Sequence, residues 1–136
     1  MSILIKNGYV IYGDELKIIK ADVYIENNEI SKVGKNLNIG ADYVIDAKGK
    51  VVSPGFINSH THSPMALLRG LADDLPLMEW LQKYVWPMER KLKPDHIYWG
   101  ALLGALEMVK SGTTTFVDMY FHMKEVAKAV EKTGIR

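Results

Sequence analysis

The chain has no cysteine. That absence excludes a disulfide framework and any thiolate metal site, and leaves histidine and carboxylates as the strong metal ligands available. It also has no apolar run near the ~20 residues that a membrane-spanning helix needs, and Met1-Ser2-Ile3-Leu4-Ile5-Lys6-Asn7-Gly8 carries no basic segment ahead of a long apolar stretch. Neither membrane insertion nor export is expected, and the cytoplasm is the default location. An excess of either sign of charge is missing too: 17 basic residues stand against 16 acidic ones, well mixed, for a net charge of +1. Nothing in that balance calls for nucleic acid or an anionic membrane as a partner. Hydrophobic residues at 48% and charged residues at 24% are ordinary, so the chain can bury a core and has no signature of disorder.

The pattern changes near residue 50. Before it, Ile3 to Tyr12, Ala21 to Ile25, Glu29 to Val33 and Tyr43 to Asp46 read as short strands. Gly13-Asp14-Glu15, Asn27-Asn28 and Ala47-Lys48-Gly49-Lys50 separate them as turns. Asn27-Asn28 suits a tight hairpin, because asparagine tolerates the left-handed backbone that such turns demand. Residues 1–50 are thus expected to form a small all-β unit with open strand edges.

Residues 51–136 alternate between strand and helix, the sign of a parallel sheet with crossover helices. Val51 to His62 reads as a first strand. A helix is expected after Asp73-Asp74-Leu75-Pro76, with acids at its amino end, and Pro87 should stop or kink it. A second helix should start at Pro94-Asp95 and run through Ile97, Ala101, Leu102, Ala105, Met108 and Val109, with Gly112 as its carboxyl-terminal cap. Gly100 and Gly104 on that helix suggest close packing against the sheet. Thr113 to Tyr120 is a strong β-former and should be the second strand, Glu125 to Lys132 its helix ended by Gly134, and Ile135-Arg136 the beginning of a third strand.

The chemistry concentrates where the first strand ends, in Val51-Val52-Ser53-Pro54-Gly55-Phe56-Ile57-Asn58-Ser59-His60-Thr61-His62. Side chains two apart on a strand share a face, so His60 and His62 could hold a divalent metal from the same side. Spacing alone does not require this, since exposed strands and loops carry such pairs by chance. The context favours it: the strand turns polar at Asn58-Ser59, and α/β sheets place their chemistry at carboxyl strand ends.

These same residues, Val52-Ser53-Pro54-Gly55-Phe56-Ile57-Asn58-Ser59-His60-Thr61-His62, resemble the first-strand signature of the amidohydrolase superfamily, Pro-Gly-hydrophobic-hydrophobic-Asn/Asp-x-His-x-His. The segments from Met65 to Leu81, including Glu79-Trp80-Leu81, and Trp86-Pro87-Met88-Glu89 resemble most closely the 5′-methylthioadenosine/S-adenosylhomocysteine deaminases and their deoxyadenosine-deaminating relatives. The likeness runs from about Ile5 to Arg136 and covers about the first third of such an enzyme. It implies an α/β fold: the start of a metal-dependent (β/α)8 TIM barrel (residues 51–136), preceded by the amino-terminal part of a composite β-sandwich (residues 1–50). In that family, residues from the far carboxyl terminus complete the sandwich.

The resemblance also implies a reaction. His60 and His62 would be two ligands of one zinc or similar ion, and a metal-activated water would attack C6 of an adenine nucleoside and release ammonia. The remaining metal ligands and the proton-shuttling residues of the family are expected beyond Arg136, so no catalytic residue is assigned within this chain. Glu89 matches the glutamate that hydrogen-bonds both ribose hydroxyls in such deaminases, and Trp80 the tryptophan that walls the nucleoside pocket. Read without the family, Glu89 would be a solvated helix carboxylate and Trp80 a core aromatic. The family also implies a homo-oligomer.

Other polar residues point less clearly. His96 reads as a surface residue of a first helical turn, and His122 as a cap or solvent-facing residue with a pocket role open. Asp118 could support the metal ligands, though a structural hydrogen bond is favoured. Arg69 could meet a substrate carboxylate or pair with Asp73 or Asp74. A guanine or cytosine deaminase, a triazine chlorohydrolase or a cyclic-amide hydrolase would share the Pro-Gly…His-x-His strand, so those activities stay open. A closed barrel needs roughly 250 residues, so the 136 residues alone are expected to be a non-catalytic piece or binding module.

Overall fold

The computed structural model describes residues 1–136, which separate into two compact units, Met1–Pro54 and Gly55–Arg136. The first is one five-stranded sheet. Strand β1 (Ser2–Tyr12) pairs antiparallel with β2 (Lys17–Glu26), and β2 with β3 (Glu29–Gly34). On the other side of β1 lie β4 (Tyr43–Asp46) and β5 (Val51–Val52), both parallel to it. As the asparagine pair predicts, β2 and β3 join through Asn27-Asn28, with Asn27 left-handed at φ 56°. Val10, Ala21 and Val23 are buried, and Ile5, Ile19, Ile25, Val33 and Val52 pack around them.

A bulge in β1 between Ile5 and Gly8 fixes the polar interior of this unit. Asn7 there has φ 65°, and its backbone N–H leaves the strand ladder. Buried Asp22 collects it at 2.8 Å, and its other oxygen accepts the N–H of Leu37 at 2.9 Å. One carboxylate thus satisfies two backbone donors that no strand reaches. All four residues of β4 are exposed, Tyr43, Val44 and Ile45 among them, so this sheet keeps an apolar edge.

The expected strand Val51 to His62 is in fact two. Val51 and Val52 belong to the first sheet, whereas β6 (Phe56–Thr61) begins the second unit. Ser53-Pro54-Gly55 breaks it: proline has no N–H for a ladder, and a Cβ on Gly55 would stand 2.2 Å from the Thr114 side chain. Strand β6 pairs in parallel with β7 (Thr113–Asp118), which stops two residues short of the expected Tyr120. Arg136 donates to Thr114 O and accepts from Phe116 N–H, both at 2.9 Å, so the chain lies against β7, but the third strand expected at Ile135-Arg136 does not form: the sheet holds β6 and β7 alone.

A 3₁₀ turn (Ser63–Leu68) follows β6, and then come three short helical segments: α1 (Leu77–Trp80), a wider π-type stretch (Leu81–Val85) and α2 (Trp86–Glu89). The helix starts at Leu77 after Pro76, later than the Asp73-Asp74 signal, and it does not stop at Pro87. Proline removes one donor and crowds the preceding turn, and the chain widens by one residue instead, with Trp86 N–H reaching back to Leu81 O.

Helix α3 (Pro94–Lys110) ends at Ser111, with Gly112 left-handed beyond it, and α4 (Met123–Thr133) ends at left-handed Gly134. Helix α4 begins two residues before the expected Glu125. Ile97, Ala101, Val126 and Ala129 form the buried seam between the two helices. Gly100 and Gly104 do give close packing, but against the 3₁₀ turn and not the sheet: Cβ atoms there would lie 2.5 Å from Pro64 O and 2.9 Å from Ser63 O. The absent side chains let α3 hold the backbone that follows His62.

Candidate active site

Strand β6 carries His60 and delivers His62 just past its end, with imidazole centroids 5.1 Å apart and planes at 73°. The Nδ1 of His62 lies 2.5 Å from the carbonyl oxygen of Met119, which follows β7. A carbonyl has no proton to give, so Nδ1–H donates, and the lone pair of His62 is left on Nε2. This carbonyl contact is the arrangement that orients a metal-binding imidazole. His62 is half-buried and His60 exposed. No third histidine or carboxylate joins them, so the pair is a partial donor set: two neutral nitrogens suited to a borderline cation such as zinc.

Asp118, at the end of β7, receives the backbone N–H of Ser63 at 3.2 Å and also the Ser63 hydroxyl. Ser63 is buried and directly follows His62. Asp118 therefore makes the favoured structural hydrogen bond, and that bond pins the chain next to a candidate ligand.

A cavity of about 450 Å³ brings His62, Trp80 and Glu89 to one wall, together with Tyr120 and apolar residues such as Leu77 and Met119. Three of the four residues singled out in the sequence thus share one space, while His60 does not line it. The indole N–H of Trp80 donates to Leu71 O at 2.9 Å, which ties the loop before α1 to the ring and leaves the ring itself as the contact surface. Glu89, at the end of α2, accepts a hydrogen bond from the Tyr120 hydroxyl at 2.7 Å. Burial first, then this carboxylate, and Asp118 more weakly, push the Tyr120 phenol well above its ordinary pKa, so it stays a donor.

Two contacts at this cavity were not visible in the sequence. Tyr120 lies 31 residues from Glu89, and the Met119 carbonyl is a backbone group without a side-chain signature. The place of both just past a barrel-type strand was the only available signal. Arg69 meets neither Asp73 nor Asp74 but Glu107, with two N···O contacts of 3.0 and 2.6 Å. His96 is exposed, and its Nδ1 accepts the Lys93 N–H at 3.1 Å, capping its own helix. His122 stands exposed at the start of α4 in a left-handed conformation (φ 51°), and it lines a second cavity of about 500 Å³ beside Glu89 and Trp86.

The amidohydrolase family profile matches residues 51–136. Over all 136 residues the chain is 80% identical to a 5-methylthioadenosine/S-adenosylhomocysteine deaminase of Thermococcus sibiricus. Over 98% of its length it is 54% identical to a 5′-deoxyadenosine deaminase of Methanosarcina acetivorans. In both cases it spans 32% of the relative, about a third of its length. A zinc-bound adenosine deaminase from Xanthomonas campestris superposes with a TM-score of 0.92 at 33% identity, over 98% of this chain and 32% of that one.

Proposed function

This chain belongs to the amidohydrolase family, and from that premise we propose that the intact protein is a metal-dependent hydrolytic deaminase of adenine nucleosides in the 5′-methylthioadenosine/S-adenosylhomocysteine class. The carrying observation is the cavity that joins His62, Trp80 and Glu89. The similarity of the chain to named deaminases of such nucleosides supports the substrate class. The chain itself contributes the first strand–helix units of the family's barrel and part of an accompanying β domain.

His60 and His62 would hold one divalent ion, zinc by the chemistry of their nitrogens, with further ligands from outside this chain. When bound, that ion supplies Lewis acidity for the activation of water. His62 is held for this task by the Met119 carbonyl, which receives the Nδ1–H and so turns Nε2 toward a metal. Trp80 offers an aromatic face to a purine. Glu89 accepts hydrogen bonds from a vicinal diol, as ribose hydroxyls require. Leu77, Met65 and Met119 give the same cavity an apolar lining that suits an uncharged nucleoside better than a phosphorylated one.

The test is ammonia release and bound metal in the full-length protein. His60→Ala and His62→Ala each lower turnover of 5′-methylthioadenosine by about a thousandfold or more and weaken metal retention, since a metal site left with one fewer nitrogen loses both. Glu89→Ala raises KM for ribosides at least about tenfold while kcat changes little. Normal turnover in the double histidine variant would end this reading.

A further inference from the structure

We infer that Tyr120 is a positioning residue for substrate binding: its hydroxyl holds the Glu89 carboxylate in the orientation that receives the substrate's vicinal hydroxyls. The inference rests on the reading of Glu89 just given and goes beyond it by assigning a residue that acts through Glu89. Glu89 ends the short helix α2, a segment held to the chain before it by a widened turn. A glutamate there has three rotatable bonds, and ordering it on binding would cost affinity. Tyr120 removes that cost in advance.

The phenol is well placed to do so because its own ring is fixed. Tyr120 packs on the seam of Ile97, Ala101, Val126 and Ala129, and its ring lies 5.0 Å from that of Phe121 and 6.1 Å from the imidazole of His62. Its rigid arm carries the hydroxyl to 2.7 Å from Glu89 Oε1, inside the cavity that His62 and Trp80 also line. An O–H donor on a carboxylate is among the stronger hydrogen bonds, and it occupies only part of the acceptor capacity. The remaining lone pairs are left for a ligand. Tyr120 thus touches both the imidazole of a candidate metal ligand and the carboxylate that would receive the sugar.

The experiment compares Tyr120→Phe, Glu89→Gln and the double variant of the full-length, metal-loaded protein, with 5′-methylthioadenosine and its 2′,3′-dideoxy analogue as substrates. Phenylalanine keeps the ring packing, and a thermal melt confirms that each variant is folded. Tyr120→Phe should raise KM for the riboside about tenfold, the size of one hydrogen bond to a charged group, with kcat within about twofold. It should leave KM for the dideoxy analogue unchanged and add nothing in the Glu89→Gln background. Equal KM increases for both substrates, or a fall in melting temperature with KM unchanged, would overturn the inference and make the contact a structural staple. If Glu89→Gln raises KM and Tyr120→Phe does not, the inference alone falls. If Glu89→Gln leaves KM unchanged, the role of Glu89 falls and takes the inference with it.

Discussion

In the amino-terminal sheet, Asp22 is buried with both oxygens committed to backbone N–H groups of its own unit, whereas in the second unit Glu89 meets one phenol at the wall of a cavity. The two carboxylates show how the same chemical group serves opposite ends. Asp22 repairs a bulge in β1, each of its oxygens already holding a backbone N–H. Glu89 is held from one side and kept available. The same contrast separates asparagines and histidines: Asn7 hydrogen-bonds Asp46 at 3.0 Å within the sheet, while His62 is oriented by a carbonyl so that one nitrogen remains open. A polar group consumed by its own backbone marks architecture, and one that is steered but incompletely satisfied marks a site.

Substitutions that separate stability from binding sharpen this contrast. Asp22→Ala leaves two backbone donors without partners, that of Leu37 buried and that of Asn7 partly so, and should cost about 2–3 kcal/mol in a denaturant titration of the full-length protein. Because the loss belongs to the sheet, kcat and KM of the fraction that stays folded should not change; a selective rise in KM would break the comparison. Gly100→Ala should cost about 1–2 kcal/mol, the overpacking of a Cβ 2.5 Å from Pro64 O partly offset by better helix propensity. It should also weaken metal retention, because the displaced turn directly follows His62.

Ser63→Ala removes a hydroxyl from Asp118 and should cost about 1 kcal/mol, read as a small fall in melting temperature. The smallest effect concerns acid. Asn7 and the Lys48 N–H hold the exposed Asp46 carboxyl below its ordinary pKa, and the Ser2 N–H and hydroxyl do the same for Asp42. A carboxyl with a depressed folded pKa contributes stability above its unfolded pKa and loses it as pH falls through the folded value. Melting temperature should therefore decline below about pH 4, and Asn7→Gly, which keeps the left-handed backbone, should flatten part of that decline. An unchanged acid limb in Asn7→Gly would remove Asp46 from the account.

How much of this was legible depends on distance along the chain. The Asn27-Asn28 hairpin, the course of α3 and the cap at Gly134 follow from neighbouring residues, and their expected positions agree closely with the structure. Trp80 and Glu89 were singled out through their motifs, and the cavity collects both beside His62. The division of Val51 to His62 was misread, because an apolar run does not tell which sheet each half will join; Pro54-Gly55 did carry the break. The partner of Arg69 was misread for a similar reason, since Glu107 lies 38 residues away on another helix.

By itself the sequence determined the periodicities, the turns, the His-x-His pair and the family, because these depend on residue types at short spacing. Only the tertiary structure decided which nitrogen of His62 stays open, which tyrosine holds Glu89, and that α3 clasps the turn after His62 through two glycines. Those contacts join residues far apart in the chain. Backbone carbonyls, phenols and missing Cβ atoms acquire their roles only when packing brings them within hydrogen-bond or van der Waals reach.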